Sequence, residues 1–128
     1  VFENVTVVPM DRERLIERQT VVVQDGRVAA MGAAGRVAVP AGATVVNGAG
    51  KFLMPGLAEF HAHVPPANAP QAVKDRVLTL YVVNGVTTAR SMLGDASHLA
   101  LRAAIARGEV LGPRIIASGP SYNGNSVR

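Results

Sequence analysis

Apolar and polar positions change their rhythm along this chain near residue 50. Before it, short β-branched runs alternate with turn residues. Phe2 to Val8 is one such run and Thr20 to Gln24 another, with Asp25-Gly26 leading into Val28-Ala29-Ala30-Met31. Asp-Gly between apolar runs predicts a hairpin, because both turn positions accept positive φ. Asp11 to Arg18 is charged and reads as a solvated helical turn or a loop. Ala43 to Asn47 predicts a further strand, followed by a turn at Gly48-Ala49-Gly50. From Phe52 onward the pattern becomes strand, helix, strand, helix, strand. Pro70 to Asn84 predicts a helix with Pro in its first turn, Val73, Val77, Leu80 and Tyr81 on one face, and Gly85 as an αL stop. Val86 to Met92 follows as a strand. Asp95 or Ser97 is placed to cap a second helix running to about Arg107, with Leu101, Ala104 and Ile105 on its buried side and Gly108 ending it. Arg114 to Ser118 is the third strand of this half. The alternation predicts an α/β arrangement with a parallel sheet.

Composition narrows the classes. With 128 residues, 48% of them apolar, the chain is long enough for a real core. The formal charge of +4 comes from arginines scattered among Asp and Glu, and only 4% of residues are aromatic. A basic stripe with stacking rings is absent, so no nucleic-acid partner is expected. The lack of cysteine removes disulfides and thiolate metal sites, a composition compatible with a cytoplasmic, periplasmic or secreted protein. Apolar runs fall short of the ~20 residues of a membrane span, and no membrane partner is expected.

The chemistry concentrates in one run, Phe52-Leu53-Met54-Pro55-Gly56-Leu57-Ala58-Glu59-Phe60-His61-Ala62-His63. Residues two apart on a strand share a face, so His61 and His63 direct two imidazoles to one point, as a metal site requires. Two solvent-exposed histidines at a strand end are the competing reading, and the flanking residues decide between them. Glu59 has the same parity one step deeper, which predicts a buried carboxylate in need of a partner. Arg90, near the end of the next strand, is the candidate. Neither His98 nor Ser91 reads as part of a site. His98 lacks a second ligand at helical spacing and suits a surface or cap role, and Ser91 has no Gly-x-Ser-x-Gly elbow around it. Tyr122, Asn123 and Asn125 follow the third strand, where a loop reaches substrate or forms an ordinary polar turn.

Pro55, Gly56, Leu57, Glu59, His61 and His63, together with Asn84 to Arg90 and Gly108 to Pro120, resemble the metal-dependent amidohydrolase superfamily, in its branch related to imidazolonepropionase and prolidase-like peptidases. Glu59 stands where that family usually has Asp, and Ser91 where an Asp commonly follows the Arg. The resemblance implies the first three strands of an incomplete (β/α)8 TIM-type barrel over residues 51–128, preceded by part of a small β-sandwich over 1–50. A complete barrel takes about 250 residues, so the chain is expected to be the N-terminal part of a larger protein whose remainder completes the barrel. It further implies one or two divalent ions, zinc foremost, held by His61 and His63. Further ligands and the catalytic Asp would come from later strands, so no catalytic residue is assigned within this segment.

The implied reaction is hydrolysis of an amide or peptide C–N bond in a dipeptide or N-acyl amino acid-like substrate by metal-activated hydroxide. These residues alone are expected to be inactive, and the whole protein to be a homo-oligomer. A cyclic-amide hydrolase of the imidazolonepropionase kind is the alternative within the family. A non-catalytic binding or scaffold subunit that has lost the metal site is the alternative outside it.

Overall fold

In the computed structural model, which describes residues 1–120, 122–123 and 126–127, the chain forms two compact units, Val1–Pro55 and Gly56–Arg128. The first unit is built on a mixed sheet. Strands β1 (Phe2–Val7), β2 (Ile16–Gln24) and β3 (Arg27–Ala33) run antiparallel in the order β3-β2-β1. Two short strands, β4 (Val46–Asn47) and β5 (Phe52–Leu53), pair in parallel with opposite ends of β1. The hairpin turns where expected: Asp25 and Gly26 have φ of 51° and 72°, the positive pair that a two-residue turn matching strand twist requires. Val5, Val7 and Val21 form this unit's buried core, with Phe2, Ile16 and Leu53 packed against it. The charged run from Asp11 makes bends rather than a helix, and β2 begins already at Ile16. A single five-stranded sheet is what the N-terminal residues form.

The second unit follows the expected alternation. Strand β6 (Leu57–Ala62), helix α1 (Gln71–Val83), strand β7 (Val86–Ser91), helix α2 (Ser97–Ala106) and strand β8 (Arg114–Ile116) give a three-stranded parallel sheet in the order β6-β7-β8. Sequential order with a helix between each pair of parallel strands is the βαβ connection. Gly85 takes φ of 80° after α1, and its carbonyl accepts from Leu57 N–H at 2.8 Å, so the helix stop also seats the start of β6. Short strands β9 (Tyr122–Asn123) and β10 (Ser126–Val127) pair antiparallel after β8.

One face of the parallel sheet is covered. Ala89, Ser91 and Ile115 are buried there, and Val64, Leu78 and Ile115 form a core joined by Leu101 and Ile105 of α2. Arg90 and Ile116, paired across β7 and β8, are exposed, as is Arg114. The expected face of α1 is displaced by one position. Leu78 is its buried residue, Val77 and Tyr81 are half-buried, and Val73 and Leu80 remain exposed. The physical reason is that the last two turns, Val77-Leu78-Thr79-Leu80-Tyr81-Val82-Val83, are apolar almost all round, so periodicity alone does not choose a side.

Candidate metal site at the strand ends

The site begins with a break in the ladder. Glu59 pairs with Ala89 and Ala62 with Ser91, so three steps along β6 match two along β7. The additional residue is a bulge, which bends a strand and re-aims its side chains. The N–H of His61 within it is taken by Glu59 Oε1 at 2.7 Å. Glu59 is therefore exposed and bonded to its own strand, contrary to the expected buried pair with Arg90. Every residue of β6 before Ala62 is exposed, whichever face it is on, so strand parity alone does not bury Glu59 among the described residues. Arg90 is exposed as well and donates to Met92 Sδ at 3.1 Å. Among the described residues the ion pairs are Arg14–Asp11 and Arg107–Glu109, both on the surface.

His61, the penultimate residue of β6, and His63, just past its end, carry their rings close together, with centroids 5.5 Å apart and planes inclined at 40°. Two imidazoles sharing one tetrahedral ion at about 2.0–2.1 Å have centroids roughly 5 Å apart, close to the spacing of this pair. Both rings are exposed, which leaves them reachable from solvent. No cluster of three or more His, Cys, Asp or Glu with ligand geometry occurs among the described residues. The backbone between and after them is fixed. Ala62 and Val64 are buried, at 1% and 5% exposure, and Met92 N–H donates to Ala62 O at 2.9 Å.

The neighbouring strand ends supply polar groups that sequence reasoning passed over. His98 is 1% exposed, where a surface position was expected. Its Nε2 lies 3.2 Å from Pro65 O, and its Nδ1 lies 3.4 Å from Asp95 N and 3.5 Å from Ser91 Oγ. The signal was present: His98, Leu101 and Ile105 stand at i, i+3 and i+7 on the buried stripe of α2. Ser91 is fully buried and donates to Leu93 O at 3.1 Å. Ser118 Oγ, past β8, is buried with no hydrogen-bond partner among the described residues. Asp95 enters α2 by accepting from Ser97 N at 2.8 Å and Ser97 Oγ at 2.6 Å, and the Ser97 hydroxyl above all holds its carboxyl below the usual carboxylate range. Of the expected substrate loop, Tyr122 and Asn123 fall in β9, and Asn125 lies outside the described residues.

A parallel β-α-β-α-β sheet with an imidazole pair at the C-terminal end of its first strand defines the class, an α/β protein. A protein of Bifidobacterium longum assigned as a prolidase superposes with a TM-score of 0.82 at 34% identity, over 98% of this chain and 32% of its own. A prolidase complexed with N-methylphosphonate-L-proline gives 0.74 at 27% identity, over 92% and 31%. Phenylurea hydrolase B gives 0.70 at 30%, over 93% and 30%. No family model matches the chain, and no curated protein does. The resemblance carried by the Pro-Gly-Leu to His-x-His segment is thereby borne out: the chain belongs to the amidohydrolase superfamily, among prolidase and amidohydrolase structures. It spans about a third of the length of the structures it matches.

Proposed function

We propose that the chain supplies the first metal-ligand strand of a metal-dependent hydrolase acting on an amide-type C–N bond. The observation that carries this reading is the placement of His61 and His63 together at the C-terminal end of the first strand of a parallel sheet. That is the end at which barrel enzymes assemble their reactive groups, and the three described strands are proposed as the opening of such a barrel. His61 and His63 would hold the ion, with zinc the first choice for paired neutral imidazoles. A bound divalent cation supplies Lewis acidity toward a carbonyl and a water of lowered pKa. This chain's own part is to aim the two nitrogens and to keep the strand end in place. The prolidase neighbours favour a dipeptide or N-acyl amino acid-like substrate, and phenylurea hydrolase B marks the non-peptide alternative within the same reaction class.

The test is metal content and hydrolysis of the full-length protein. His61→Ala and His63→Ala should each lower bound metal and amide hydrolysis together. Full occupancy and full turnover in both variants would leave the pair without a role in either. A panel of Xaa-Pro dipeptides, N-acyl amino acids and arylureas separates the substrate readings.

A further inference from the structure

The rings of His61 and His63 are exposed among the described residues, and what these residues hold is the backbone that carries them. Along this segment His61 N–H is held by Glu59, Ala62 O by Met92 N–H, and Ala62 and Val64 by burial. Three residues on from Ala62, Pro65 O meets His98 Nε2 at 3.2 Å from 33 residues away in sequence. A backbone N–H only donates, so the Asp95 N–H at 3.4 Å makes Nδ1 the acceptor and leaves the ring hydrogen on Nε2, directed at Pro65 O. The hydroxyl of Ser91 lies 3.5 Å from Nδ1 but gives its hydrogen to Leu93 O, so it packs beside the ring without bonding to it.

Filling the space beside Leu101 and Ile105 needs only an apolar side chain, and a buried imidazole is costly unless its nitrogens are bonded. Here both nitrogens are engaged, and what they join is the loop leaving His63 and the entry to α2. We infer that His98 is a positioning residue for the divalent-cation site, holding the His61–Pro65 backbone in the arrangement that brings the two imidazoles together. The inference rests on the proposed metal reading of that pair.

The experiment is titration of metal-free full-length protein with zinc alone, followed by calorimetry, at a temperature where circular dichroism shows each variant folded. His98→Leu keeps bulk and removes the donor, whereas His98→Gln keeps an N–H able to reach Pro65 O. Loss of outer contacts around a metal site typically weakens affinity by about 10–100-fold. His98→Leu is expected to fall in that range and His98→Gln to stay within about threefold of the parent protein. Should His98→Leu not fold, His98→Asn, whose shorter amide falls short of Pro65 O, should show the same loss. Unchanged zinc affinity in the folded Leu or Asn variant, or an equal loss in His98→Gln, would make His98 a packing residue and overturn the inference. Zinc binding that is absent in the parent, or unaffected by His61→Ala, would overturn the metal reading and the inference with it. That result is distinguishable, because it appears without any substitution at His98.

Discussion

At the scale of residues, the site is shaped by short-range bonds that bend a regular strand. Glu59 accepts the His61 N–H in place of a ladder partner, so its carboxylate serves local geometry. Asp95 works in the same way one loop further on. Its Oδ1 accepts from both the N–H and the hydroxyl of Ser97, and these bonds hold its carboxyl below the usual range. A carboxyl depressed in the folded state contributes stability that is complete above its unfolded pKa and is lost as pH falls through the folded value. The midpoint deficit of Asp95→Ala should therefore be constant from neutral pH down to about 5 and shrink as pH drops below about 3.9. Denaturant unfolding of both proteins across that range measures it. A deficit that persists unchanged at pH 2 would mean that the ionised carboxylate is not what steadies the entry to α2.

At the scale of elements, the ends of strands meet through backbone. Gly94, after β7, donates to Gly119 O at 3.2 Å, and a Cβ built there would run into the carbonyls of Ser118 and Gly119. Neither carbonyl can swing aside as a side-chain tip does, so one loop must move. Gly94→Ala should cost about 1–3 kcal/mol, the usual range for overpacking, read as a fall in the unfolding midpoint. A midpoint equal to the parent's would show that the two loops do not approach so closely. Such contacts mark the boundary of what was legible beforehand. The Asp25-Gly26 hairpin and the Gly85 stop were readable because local backbone chemistry determines them. Pairing of His61 with His63 was readable because two residues fix it. The packing side of α1 was not, since its apolar residues surround the helix, and neither was the Glu59 bond to His61 N–H, because the one-residue bulge that carries it is set by the register with β7. Burial of His98 lay in a stripe that reads as apolar only when a histidine is allowed to belong to it.

At the scale of the whole molecule, two units with separate cores are present, and the one bearing the histidines leaves much apolar surface in water. Leu57 is 50% exposed, Phe60 63% and Ile116 44%, and β6 and β8 are the two edges of the parallel sheet. Open edges and apolar faces of this kind favour association. The proposed ligand set is open in the same sense. Catalytic zinc sites take three protein ligands and a water, whereas two imidazoles are what these strands bring together, and the matched structures run to about three times this length. The 128 residues expressed alone should accordingly bind zinc at least ~100-fold more weakly than the full-length protein, and sedimentation velocity should show concentration-dependent association. Both measurements use the metal alone, so they do not depend on knowing the substrate. A monomeric 128-residue chain binding zinc as tightly as the full-length protein would place a complete ligand set within these residues, and the division of the site between this segment and later strands would be wrong.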